Sequence, residues 1–395
     1  MKKFVSALLA GAMTVGLAAC GSSSSGTTSS TDAEATAAAE TAAATAASEK
    51  TTESDVKVAM ITDYGDITDQ SFNQTTYEAC KAFCEENGLE FTYKKPASNA
   101  DADRVASIEE AIEDGYNVIV MPGYAFGPAI QEVAPMYDDV KFVALDVAEA
   151  DLGKYTPGKN FFSAVYQEEL PGYMAGYAAV KLGYKKLGFL GGMAVPAVQR
   201  YGYGFIQGAD AAAAELGLSD VEIKYTYGNQ FYGDADITAA MDTWYGAGTE
   251  VVFACGGGIF TSAAEAAAKV SAKVIGVDVD QAAIIDGNYG EGMTVTSAMK
   301  GLAATVNTVL QAIVDGEWDD YAGQIMTLGI ISDDSDLNYV RLPESTQWAD
   351  GFTQDDYNEL VKKMHAGEIT VDNDTSKAAA DFATVVSVDD QGNIK

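Results

Sequence analysis

Histidine is all but absent from this chain of 395 residues: the single example, His365, lies in a polar stretch near the C-terminus. A histidine-based catalytic triad and a multi-histidine metal site both need imidazoles converging with other groups on one point, so both are excluded by arithmetic. Cysteine is scarce as well, with four in all. Cys80 and Cys84 stand one helical turn apart and Cys255 ends an apolar run, so these three read as small core residues and no structural disulfide is expected. Positive charge is the third deficit. Twenty-four Lys and Arg against 58 Asp and Glu leave a formal net charge of −34, which opposes binding of nucleic acid or anionic lipid through the body and disfavours highly charged ligands such as nucleotides. Apolar runs of bilayer length are also missing. The stretch 4–19, rich in Ala, Leu and Gly, is long enough for a secretory core but short for a membrane span.

The flanks of that stretch are more specific. Lys2 and Lys3 supply a positive start, and Leu17, Ala18, Ala19 and Cys20 close it. The run resembles a bacterial lipoprotein signal over 1–19 with its Leu-Ala-Ala-Cys lipobox. The resemblance implies that Cys20 is acylated and becomes the mature N-terminus, held at the extracytoplasmic face of a cell membrane by a diacylglyceryl group, since one acyl chain anchors only marginally. Residues 21–52 are almost wholly Ser, Thr, Ala, Gly and Glu with no aromatic to seed a core. They read, within 20–54, as a flexible tether of reach on the order of 30 Å.

From residue 55 onward aromatics and β-branched residues reach globular frequencies, and the chain is long enough for two lobes of ordinary size. Short β-rich runs alternate with helical segments, the pattern of parallel sheets covered by helices. Strands are expected over 56–62, 90–93, 117–121, 141–145, 186–190, 221–225, 251–254 and 273–277. Helices are expected over 71–86, 103–113, 171–181, 196–216, 237–245, 261–270 and 297–314, with a further β-rich run over 324–331. Several strands end on a polar residue or a glycine, namely Asp63, Gly123, Asp146, Gly191, Gly256 and Asp278. In open α/β sheets ligands bind beyond the carboxyl ends of the strands, so two facing sheets would bring these residues to one crevice. The expected lobes are 55–165 with 294–323, and 166–293 with 324–395, joined by several crossings and able to close about a hinge.

The residues 57–73, KVAMITDYGDITDQSFN, resemble the opening of the basic membrane protein (BMP) family of lipoproteins, which includes purine nucleoside receptors of ABC uptake systems. Four further stretches resemble the same family in family order: QEELPGYMAGYAA from Gln167, LGFLGGMAVPAVQRYGYGFIQGA from Leu187, VIGVDVDQ from Val274, and TSAMK ending at Lys300. The resemblance implies a type I periplasmic-binding-protein fold, α/β with two Rossmann-like lobes, a nucleoside in the interlobe cleft and an ABC permease as partner. It implies that Phe72 stacks on the base while Asp63 and Asn73 bond its edge. Stacking accepts any base, so the polar pair would supply selectivity. A second aromatic wall falls on Tyr232 when Asp234 is aligned, or on Phe231 if the loop shifts by one residue. Asp146, Gly257, Asp278 and Lys300 would hold the sugar, carboxylates accepting from hydroxyls and the ammonium donating. Lys300, placed near a helix start, is unfavourable to the helix dipole unless an acid such as Asp278 compensates it.

Other readings carry less. Gly256 to Gly258 lack the lysine and threonine of a phosphate loop. Asp278 with Asp280, and Asp334, Asp336 and Asn338, imitate parts of hard-metal sites, but the second set lacks the glycine and terminal glutamate of a calcium loop. No metal, cofactor, nucleic-acid partner or catalysis is expected, and the expected assembly is a monomer. Alternatives are a binding protein for a monosaccharide or other small polar ligand, a surface interaction lipoprotein, and a nucleoside hydrolase.

Overall fold

The computed structural model describes residues 55–63 and 65–394. The expected signal peptide, lipidated Cys20 and tether fall outside the described residues. Two sheets organise the rest. The first contains β1 (Lys57–Ile61), β2 (Glu90–Lys94), β3 (Val118–Pro122), β4 (Lys141–Leu145), β5 (Phe161–Tyr166) and β11 (Gln324–Leu328), in the order β11-β5-β4-β3-β1-β2. The second contains β6 (Lys186–Gly191), β7 (Glu222–Tyr227), β8 (Val251–Cys255), β9 (Lys273–Asp278), β10 (Thr294–Lys300), β12 (Val340–Arg341) and β13 (Ser387–Asn393), in the order β12-β10-β9-β8-β6-β7-β13. Among the described residues every strand pairing is parallel except β10 with β12. Helices cover both faces, so central strands such as VIVMP in β3 and VVFAC in β8 are buried at every position. That is why they read as continuous apolar runs rather than alternating ones.

The helices are α1 (Phe72–Asn87), α2 (Asp101–Glu113), α3 (Gly127–Val133), α4 (Glu169–Lys181), α5 (Pro196–Leu216), α6 (Ala235–Gly246), α7 (Phe260–Ala268), α8 (Ala282–Tyr289), α9 (Leu302–Asp315) and α10 (Gln354–His365). Cys80 and Cys84 are buried in the core that α1 and α9 build on the first sheet, and Cys255 in that of the second. Helices α4 and α5 approach until backbone meets backbone. A Cβ added to Gly176 would stand 2.0 Å from the carbonyl oxygen of Phe205, and one on Gly172 2.2 Å from that of Tyr201. Only glycine permits that approach, and it sets the N-terminal turns of the two helices side by side.

Three expectations change. The helix expected over 297–314 begins only at Leu302, because 294–300 pairs with β9 as the buried strand β10. Its β-branched Thr294, Val295 and Thr296 suit a pleated, covered surface. That strand therefore belongs to the second sheet and not to the lobe over 55–165, whereas β11, expected in the other lobe, pairs with β5 in the first sheet. Strand β5 itself, absent from the expected set, carries the first crossing between sheets. The crossings after β5, β10 and β11 are tied together, with Gln167 N–H donating to the Leu328 carbonyl and Gly301 N–H to that of Tyr339. These connections run side by side between the two sheets.

The two sheets repeat one local device. The residue closing β4, Asp146, and the last of β9, Asp278, both adopt left-handed backbone, at φ 61° and 66°. Strand β4 neighbours β3 as β9 neighbours β8, so the two aspartates occupy equivalent positions on facing sheets. Left-handed backbone is uncommon for any residue but glycine, and a non-glycine held there is worth a functional hypothesis.

Candidate functional site

The carboxyl ends of both sheets open on one cavity with about 820 Å³ of atom-free space, part of it continuous with solvent. Asp63, Phe72, Asn73 and Asp146 line it from the first lobe, and Phe231, Gly257, Asp278 and Lys300 from the second. Of the strand-end and ligand-contact residues expected in the cleft, Tyr232 and Gly191 are missing from this lining.

On the first lobe the start of α1 builds one wall. Ser71 precedes the helix but does not cap it: its hydroxyl donates to Asp278 Oδ2 across the cleft at 2.6 Å. Asp69 caps instead, its carboxylate accepting from the backbone N–H of Ser71, Asn73 and Gln74 at 2.9, 2.9 and 3.0 Å. A carboxylate there also complements the helix dipole. The Asn73 amide is held by Asp63 Oδ1 at 2.8 Å and Asp69 Oδ2 at 3.0 Å. A second bond joins the lobes close by. Gln281 is fixed on its own lobe by the N–H of Val277, which donates to Oε1 at 3.0 Å, and its Nε2 reaches across to the carbonyl of Gln70 at 3.0 Å. Gln70 is itself left-handed, at φ 56°.

At the floor, Lys300 Nζ donates to Asp146 Oδ2 at 2.6 Å and Glu168 Oε1 at 3.2 Å, with Asp278 Oδ1 4.0 Å away. Arg200 Nε donates to the other oxygen of Glu168 at 2.7 Å. The acids that the cation needed are therefore present, one from each lobe and one from the crossing itself. Burial opposes the charge of Lys300, yet the three carboxylates raise its pKa above the ordinary lysine value. Burial pushes Asp146 and Asp278 upward against the pull of Lys300. Burial also works against Glu168, but Lys300 and Arg200 hold it below the usual range. Two atoms in this region are buried without a hydrogen-bond partner among the described residues: Asp146 Oδ1 and the Tyr201 hydroxyl.

The two aromatics offered for the second wall are placed differently. Tyr232 is 61% exposed and does not line the cavity, whereas Phe231 does. The ring of Phe231 lies where a Cβ on Gly192 would be, 2.5 Å from the nearest ring carbon, and 3.0 Å from one on Gly256. Glycines at two adjacent strand ends leave the slot that draws Phe231 inward and turns its neighbour out. Phe72 is half-buried, its ring centroid 4.9 Å from Lys300 Nζ.

Glu168, Arg200 and Tyr201 were not singled out from the sequence. A signal for Arg200 existed: a cation in the early turns of a helix, in a chain short of cations, needs an acidic partner. Tyr201 offered none, because an aromatic in an amphipathic helix reads as core.

The family model described as "ABC transporter substrate-binding protein PnrA-like" matches residues 56–381. The chain belongs to this Bmp family. It is 29% identical over 304 residues, covering 72% of this chain and 82% of the relative, to the "ABC transporter nucleoside-binding protein BmpA" of Lactococcus lactis subsp. cremoris. It is 27% identical to an "uncharacterized lipoprotein" of Pyrococcus abyssi, over 71% of this chain and 68% of that one. Among solved structures, an ABC transporter solute-binding protein from Conexibacter woesei superposes with a TM-score of 0.62 at 22% identity, covering 80% of this chain and 99% of that chain. That likeness confirms the type I periplasmic-binding-protein fold. This Bmp protein is accordingly a substrate-binding component of an ABC transporter.

Proposed function

We propose that this Bmp protein captures a nucleoside in the interlobe cleft and presents it to an ABC permease, tethered to the membrane through acylated Cys20. The observation that carries the reading is one cavity with two chemistries. Phe72 and Phe231 offer apolar faces, and Lys300, Asp146 and Asp278 offer a polar recess in which Asp146 Oδ1 has no hydrogen-bond partner among the described residues. A flat heterocycle joined to a polyol fits both parts. A buried acceptor left unpaired is costly, so a ligand hydroxyl that donates to Asp146 gains that cost back. Among the lining residues Asp63, Asp69, Asp146, Asp151 and Asp278 outnumber Arg200 and Lys300, which repels phosphate and favours a neutral nucleoside over a nucleotide. The relative named as nucleoside-binding supports the same class. A free monosaccharide would leave the phenylalanine faces uncovered.

Calorimetric titration of ligand-stripped protein lacking residues 1–20 is expected to show binding of inosine or guanosine and none of ribose or the corresponding monophosphates. Ribose binding as tight as inosine binding would refute the proposal. Recovery of the inosine intact after prolonged incubation is the result that separates capture from hydrolysis.

Closure in this reading is stabilised by contacts that the ligand does not make. In Gln281→Glu the acceptor for Val277 N–H is kept and the donor to Gln70 is lost. A fully buried carboxylate oxygen then faces the Gln70 carbonyl, which costs more than the roughly 0.5–1.5 kcal/mol of one neutral hydrogen bond, so inosine is expected to dissociate more than about 2-fold faster in stopped-flow, with association little changed. A slower association with unchanged dissociation would show that the bond does not hold the lobes together.

A further inference from the structure

Tyr201 lies in the early turns of α5, is 2% exposed and lines the cleft, yet its hydroxyl makes no hydrogen bond among the described residues. That sets it apart from other buried tyrosines. The hydroxyls of Tyr166, Tyr245 and Tyr357 pair with Thr305 Oγ1, the Lys273 carbonyl and the Leu342 N–H, at 2.8, 2.8 and 2.9 Å, and Tyr225 pairs with Tyr227 at 2.8 Å. Nothing in the packing of Tyr201 requires the oxygen. Its ring meets Phe253 edge-on, with centroids 5.9 Å apart, and Lys300 Nζ stands 5.7 Å from its centroid. Phenylalanine would keep both contacts and spare the cost of a buried, unpaired hydroxyl. The backbone that carries it is held as well, because Gly172 of α4 lies against the Tyr201 carbonyl.

We infer that the Tyr201 hydroxyl reads a sugar hydroxyl of the ligand, making this residue a specificity determinant for ribosides over free bases. The inference rests on the nucleoside reading of the cleft. Burial first, and then the charges of Asp278, Glu168 and Asp146, keep the phenol protonated. Those acids mark its surroundings as the recess assigned to the sugar. Asp146 Oδ1, the other unpaired atom of that recess, can only accept while ionised, whereas a phenol can donate or accept. A furanose, whose hydroxyls do both, satisfies the pair together; a free base carries no sugar hydroxyl to offer it.

The test is Tyr201→Phe, titrated with inosine and with hypoxanthine, together with thermal unfolding of the ligand-free protein. The expected result is an inosine affinity lower by about 3- to 10-fold, an unchanged hypoxanthine affinity, and a ligand-free melting temperature equal to or above that of the parent. A purely structural tyrosine would lower the melting temperature and weaken both ligands alike, and that outcome overturns the assignment. So does an inosine affinity equal to the parent's. If the parent itself binds no riboside, the nucleoside reading falls and takes this assignment with it; if the parent binds inosine and the variant loses nothing, only the role of Tyr201 falls.

Discussion

Lys300→Ala is expected to lower unfolding stability by about 3–5 kcal/mol, the usual consequence of removing one partner from a buried ion pair. The side chain is 3% exposed and faces Asp146, Glu168 and Asp278, themselves 11%, 0% and 7% exposed. Arg200 would remain to serve Glu168, but Asp146 would lose the donor to its Oδ2, with Oδ1 already unpaired. Urea unfolding at neutral pH measures the loss. Its pH dependence carries the sharper prediction. The wild-type ammonium has its pKa raised in the fold by these carboxylates, so its contribution is present at neutral pH, while they are ionised, and is lost as pH rises through the lysine range. In the variant the buried carboxylates lack a counter-charge and are destabilising while ionised. The gap between the two proteins should therefore narrow as pH falls through the carboxylate range. A gap independent of pH, or an alanine variant as stable as the parent, would show that the cluster is not held by charge. Because Lys300 also lines the cleft, inosine affinity should fall with it, and by more than hypoxanthine affinity.

Phe72→Ala is expected to weaken inosine and hypoxanthine together, since both present the same heterocycle. Base stacking on an aromatic ring is worth roughly 1–3 kcal/mol, which corresponds to about 5- to 150-fold in affinity. The ring opens α1 and is only half-buried, so a smaller stability cost accompanies its loss than for a core phenylalanine. Phe72→Leu, keeping apolar bulk without a π-face, should recover stability more fully than affinity. An alanine variant that binds hypoxanthine as well as the parent does would place the base elsewhere in the cavity. The pair of substitutions separates the two halves of the ligand: Phe72 acts on base and riboside equally, and Lys300 on the riboside preferentially.

Much of the fold was legible because the central strands are covered on both faces. A run such as VVFAC has few alternatives when it recurs between helical segments, and the strand ends at Asp63, Asp146 and Asp278 already marked the cleft. Strand β10 was not legible. Its alternating small and β-branched residues run almost directly into the apolar face of α9, with only Gly301 between them, and a glycine at that point reads equally well as part of a longer helix. The crossing at β11 failed for a related reason: a short, partly exposed strand has no marker for which of two sheets it joins.

The choice between Phe231 and Tyr232 was likewise open in the chain, because both are aromatic and adjacent, and it turned on the room left by Gly192 and Gly256, far away in sequence. The same holds for the charge cluster. Lys300 meets Asp146 and Glu168 across 154 and 132 residues, separations at which local pattern carries no information about pairing.

By itself the order of residues determined that the folded part is a covered parallel α/β structure with acid-rich strand ends and a sparing use of cations, since periodicity and composition act locally and survive any later packing. Which lobe each crossing serves, which aromatic turns inward and which buried oxygens go unpaired were decided only when two sheets closed on each other. Those outcomes depend on distances between segments that share no neighbourhood along the chain, and only the folded backbone brings them within reach.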